Sequence, residues 1–193
     1  MKLPKNILIT REMMTHVVIP DGAKPSEFVS ICWKWYQENY PSNKSINGTI
    51  LENIVELALR RAGIVNVFSQ VELSYVPFAI FDLMLFEEHA PIALPVKTTL
   101  RERWKQADME AQLMKQVHRD GLCFLLTLSE SEVRTRRNDI QQPLGIDAYV
   151  LVDTPEFDEF VEALSARNFI RPGAVPVISS SRPNLEEQDV ILS

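Results

Sequence analysis

Residues 78–121 read FAIFDLMLFEEHAPIALPVKTTLRERWKQADMEAQLMKQVHRDG, and the fold turns on them. The runs Phe78–Phe86 and Ile92–Thr99 are rich in branched and aromatic residues, and the break Glu87-Glu88-His89-Ala90 between them predicts a β-hairpin. From Leu100 the period becomes helical: Leu100, Trp104, Ala107, Ala111 and Met114 form one apolar stripe, and Gly121 ends it. The helix starts where the hairpin stops, so it runs back across the sheet.

Upstream, VNVFSQVELSYV (65–76) reads as a further strand. Before it, TILENIVELALRRAG (49–63) is a helix closed by Gly63, and PSEFVSICWKWYQENY (25–40) an earlier amphipathic helix with Ser26 as its expected cap. Downstream, CFLLTL (123–128) and AYVLVD (148–153) are nearly continuous apolar runs, as strands covered on both faces should be. SESEVRTRRNDIQQPLG (129–145) between them reads as a polar connection. Thr154 caps a last helix over 155–168. The order is helix, helix, three strands, helix, strand, strand, helix, an α/β arrangement with a mixed central β-sheet flanked by helices.

The chain has 193 residues, 46% of them apolar, which suits a single domain over 1–170 followed by a tail, 171–193, expected to be loose. The net charge of −6 requires any nucleic-acid contact to be a local basic patch. Cys32 and Cys123 stand far apart, without zinc-ligand spacing, and read as reduced core residues. The first twenty residues contain no apolar leader or membrane-length run, so a soluble cytoplasmic protein with no membrane partner is expected.

Asp82 lies inside an apolar strand, where an unpaired carboxylate is costly, and Lys97 is the only basic residue of the hairpin. Paired strands bring the two side by side. Thirteen residues beyond Lys97, Glu110 shares a helix flank with Arg103, with Gln106 nearby. Two carboxylates and a lysine suit phosphodiester hydrolysis, in which a hard divalent cation offsets phosphate charge.

The run from Lys97 to Gln106, KTTLRERWKQ, followed by Glu110, resembles the PD-(D/E)XK restriction endonucleases of the CCGG group. The resemblance implies a restriction-endonuclease-like fold and Mg²⁺-dependent cleavage of double-stranded DNA at a short CC/GG-containing site. Most of the superfamily carries an acid two positions before the lysine, where this chain has Pro95. The CCGG group moves that acid to the following helix, where Glu110 stands. By resemblance, then, Asp82 and Glu110 hold the metal, with the Val96 carbonyl as a further ligand, and Lys97 positions the attacking water and the phosphate. Glu52 or Glu56 is the candidate for an additional acid from an N-terminal helix. Arg101, Glu102 and Arg103 carry over the base-reading role in the major groove, with Lys105 on the same DNA-facing side. A palindromic site implies a homodimer.

Blander roles stand beside these. Glu52 and Glu56 are spaced to pair with Arg60, and Trp104 belongs to the apolar stripe. Arg134, Arg136 and Arg137 either contact phosphate or are simply solvated. His118 reads as a polar residue near a helix C-terminus, where a cation suits the dipole, and His16 and His89 have no ligand partner at useful spacing. A catalytically inactive DNA-binding module of this fold and a structure-specific repair nuclease are the alternative functions.

Overall fold

The computed structural model describes residues 3–41, 43–76, 79–87, 90–101, 103–139, 142–172 and 178–180. Its elements run α1 (Lys5–His16), α2 (Pro25–Asn39), α3 (Lys44–Arg61), β1 (Phe68–Leu73), β2 (Phe81–Phe86), β3 (Pro91–Leu94), β4 (Val96–Lys97), α4 (Arg103–Val117), β5 (Leu122–Thr127), α5 (Glu130–Arg137), β6 (Ala148–Leu151), α6 (Pro155–Ser165) and β7 (Ile178–Ser180). The anticipated α/β architecture with one mixed sheet is present. No helix among the described residues is long and apolar enough to cross a membrane.

Strands β1, β2 and β3 form an antiparallel meander. Strands β3 and β4 each pair parallel with β5, and β6 pairs parallel with β5 on its other side. Pro95 separates β3 from β4, but its carbonyl accepts from Leu126 N–H at 2.8 Å, so the two segments follow one course along β5. A proline has no N–H for the ladder, which explains a break where an unbroken strand was expected. The connection from β4 to β5 is α4, the long crossover that a parallel pair requires.

Alternation along the strands divides the core between two faces. Leu83, Leu85, Ile92, Leu94, Leu126 and Val150 pack with α1, α2, α3 and α6. Met84, Phe86, Ala93, Cys123, Leu125 and Tyr149 face Trp104, Ala107, Ala111 and Met114 of α4 and Val133 of α5. Helix α3 ends as its glycine dictates. Gly63 has φ +89, its N–H donates to Arg60 O, and Ile64 N–H reaches back to Leu59 O, a closure that satisfies the last carbonyls.

Two carboxylates, buried Asp108 and exposed Asp147, lock α4 and β5 to the approach to β6. Asp108 Oδ1 accepts from Gly145 N–H at 2.7 Å and Ile146 N–H at 3.1 Å, and Asp147 Oδ2 accepts from Cys123 N–H at 2.7 Å.

Three elements differ from expectation. Helix α1 occupies a stretch whose apolar face is interrupted by Thr10, a residue the fold satisfies internally: its hydroxyl donates to Asn6 O and accepts from Asn53 Nδ2. Helix α5 lies inside the supposed polar connection; only Val133 of it is buried, so it carries no apolar stripe to betray it. Within the stretch read as a tail, β7 adds an antiparallel edge strand to β1. The unpaired edge of β1 is a template that three residues suffice to cover.

Candidate active site

The ladder registers set three residues in a row across the sheet. Ser69 pairs with Leu83 and Val71 with Phe81, which puts Gln70 opposite Asp82. Leu83 also pairs with Leu94, so the same register carries Asp82 to Pro95 on its other side. Lys97 Nζ donates to Asp82 Oδ2 at 2.6 Å, and Val96 N–H donates to the same oxygen at 2.8 Å. Both side chains of the ion pair are 13% exposed, so it lies mostly out of water. Asp82 thus meets the lysine and the backbone of the segment just past the proline, as the hairpin suggested.

Glu110 enters from α4 and is buried. Gln106, one turn earlier, donates its amide to Glu110 Oε1 at 2.8 Å, in keeping with the shared helix flank. Burial pushes the Glu110 carboxyl above its ordinary range; the Gln106 bond and the Lys97 ammonium oppose that shift, and the Asp82 charge adds to it. Glu110 therefore lies in the field of both members of the pair, and the three groups share one neighbourhood.

The two glutamates of α3 part company. Glu52 is buried and its Oε2 accepts from Gln70 Nε2 at 3.0 Å, which ties α3 to the strand position beside Asp82. Glu56, one turn on, accepts from Arg60 Nε and Nη2 at 3.1 and 3.0 Å, while Arg60 also donates to the carbonyls of Val65 and Val67. Glu56 is thereby engaged in holding the chain that leads into β1. Gln70 was not anticipated from the sequence. Its φ of +52 lies in the left-handed region that β-strands avoid, and such strain persists only where the surroundings enforce it.

Beyond Lys97 the chain turns into α4 with Arg101, Arg103 and Lys105 all exposed; Glu102 lies outside the described residues. Trp104 points inward and joins the core of that face, with the Arg136 guanidinium 4.9 Å from its ring centroid. Glu132 of α5 accepts from the backbone N–H groups of Leu100 at 2.7 Å and Arg101 at 3.2 Å. Nothing in a polar linker marked Glu132 for that contact.

Among the described residues no three His, Cys, Asp or Glu side chains form a ready metal cage. Asp82 and Glu110 are hard oxygen donors, and Mg²⁺ commonly takes one or two carboxylates and fills its shell with water and substrate phosphate, so this donor set fits it. A buried carboxylate whose charged form burial disfavours gains from a nearby divalent cation, and Glu110 is such a group. The Val96 contact on view is its N–H to Asp82. No family model matches the chain, and no curated protein or solved structure matches it either.

Proposed function

We propose that this chain is a Mg²⁺-dependent endodeoxyribonuclease of the PD-(D/E)XK fold that hydrolyses double-stranded DNA at a short CC/GG-containing site. One observation carries the reading: Lys97 meets Asp82 at 2.6 Å while Glu110, from the next helix, feels the charge of both. The order α3, antiparallel β1–β2–β3, crossover α4 and parallel β5 is consistent with it. So is Pro95, which stands beside Asp82 where most of the superfamily has its second acid; Glu110 supplies that acid from α4.

In this reading Asp82 and Glu110 hold the cation, and Glu52, hydrogen-bonded to Gln70 of β1, is the α3 acid that joins them. Bound Mg²⁺ would supply charge stabilisation at the scissile phosphate and an activated water. Lys97 exchanges its bond to Asp82 for one to the phosphate oxygen or the incoming water, and its positive charge opposes the charge that builds on phosphorus-bound oxygen. Arg101 and Arg103 suit guanine N7 and O6, and Glu102 suits a cytosine amino group. Lys105 contributes phosphate contact. A homodimer in the cytoplasm matches a palindromic target.

Incubating the protein with a sequenced plasmid and Mg²⁺ and mapping the fragment ends tests this. Discrete ends within CC/GG sites support it. Cuts only at mismatches or junctions replace it with a repair nuclease. Duplex binding without cleavage under any divalent metal replaces it with an inactive binding module.

A further inference from the structure

We propose that α5 is a brace for the base-reading segment and that Glu132 is a positioning residue for sequence discrimination. The inference rests on the nuclease reading and adds an element outside the catalytic centre.

Arginines read bases only if their backbone is held in place, because a bidentate contact to guanine depends on direction as much as on distance. The segment from Thr98 to Arg101 belongs to neither β4 nor α4. Arg101 has φ +29, a conformation that a non-glycine residue adopts only under constraint. The constraint is visible. The Glu132 carboxylate takes the N–H groups of Leu100 and Arg101, one on each oxygen, and so fixes two successive peptide planes.

Four residues along the same helix, Arg136 lies over Trp104, the first buried residue of α4. Glu132 and Arg136 therefore share one face of α5 and grip both sides of the arginine-bearing turn. Val133 anchors that helix in the core beside α4, and Arg137 donates to Tyr149 O of β6 at 2.7 Å. Few core contacts explain why α5 is short and polar, and its role as a clamp explains what it is for. Arg101 and Arg103 remain exposed while their backbone is fixed from behind.

The test uses the full chain and the site mapped on the plasmid. Cleavage rates are measured for that site and for its single-base variants, in the wild type and in Glu132→Ala. Amide hydrogen exchange is followed at Leu100 and Arg101. The expected result is exchange accelerated over residues 99–104 and discrimination reduced by about tenfold or more, on the scale of losing one base contact. Cleavage at the mapped site should fall far less than discrimination. A merely structural residue would lower all rates together. Unchanged discrimination with accelerated exchange overturns the proposal, as does unchanged exchange. If the alanine variant does not fold, Glu132→Gln, which keeps one acceptor oxygen, replaces it under the same criteria. A wild-type protein that neither binds nor cuts duplex DNA fails the nuclease reading instead, and the brace falls with it.

Discussion

Gln70 donates its side-chain amide to Glu52 at 3.0 Å from a backbone held at φ +52, directly across the ladder from Asp82. Left-handed backbone costs a non-glycine residue about 1–2 kcal/mol, and glycine escapes most of that cost. Gln70→Gly is therefore expected to leave the unfolding midpoint unchanged or raised while lowering Mg²⁺-dependent cleavage, because the Glu52 carboxylate loses the Gln70 amide bond. Thermal denaturation and single-turnover cleavage on one preparation check both halves. Lower stability together with full activity would show the strain to be purely architectural.

The Asp82–Lys97 pair makes a sharper claim about chemistry. Lys97→Met retains the apolar stem and removes the charge that would meet the phosphate. Cleavage should fall by about 10²-fold or more, on the scale of losing one preorganised electrostatic contact. Binding of the same duplex in Ca²⁺, followed by fluorescence anisotropy, should stay within the same order of magnitude. A matching loss of binding would move Lys97 from catalysis to general DNA attraction.

The sequence made this much visible because its signals are local. Strand, hairpin and crossover helix follow from period, and the Lys97–Asp82 encounter follows from two strands joined by a short turn. Gln106 and Glu110 were legible as a one-turn spacing. Gln70 was not, since its importance lies in a φ value and a cross-ladder neighbour that no residue type announces. Helix α5 was hidden for the opposite reason: Val133 is its only buried residue, and its work is done by Glu132 and Arg136 through contacts thirty residues away. The strand β7 was masked by prolines and serines that look like a tail, although a free sheet edge recruits any short extended segment.

Glu110 should show opposed effects on stability and function. Its folded carboxyl titrates above its ordinary range, chiefly through burial, so at neutral pH the ionised form is destabilising in the metal-free protein. Glu110→Gln keeps the shape and removes the charge. Its metal-free melting temperature is expected to rise, its cleavage to be lost, and the stabilisation that added Mg²⁺ gives the wild type to disappear. Scanning calorimetry with and without Mg²⁺ measures all but the cleavage. Stabilisation by Mg²⁺ that survives the substitution would remove Glu110 from the metal site.

Gly145 reports on how α4 is seated. A methyl group there would lie 2.4 Å from Asp108 O, 2.6 Å from Gln112 N and 2.8 Å from Ala111 Cβ, two of them backbone atoms that cannot step aside. Gly145→Ala should cost roughly 1–3 kcal/mol, the usual range for overpacking, read as a lower denaturant midpoint. Activity per folded molecule should also fall, because pushing α4 outward moves Glu110 away from Asp82. A midpoint within error of the wild type would show that α4 can shift freely.

Glu132 ties the brace to a pH window. Burial pushes its carboxyl up, but the Ser129 hydroxyl, the N–H groups of Leu100 and Arg101 and the Arg101 guanidinium outweigh burial and hold it below the ordinary glutamate range. A carboxyl whose folded value lies below its unfolded one binds its proton more readily after unfolding. Its contribution is therefore full above the unfolded value and is lost as pH falls through the folded one. The difference in melting temperature between wild type and Glu132→Gln should be constant through neutral pH, shrink below the ordinary glutamate value and vanish at the acid end. If the gap instead widens as pH drops, the Leu100 and Arg101 amides do not hold an ionised carboxylate, and the contact that fixes the arginine-bearing turn is not made through charge.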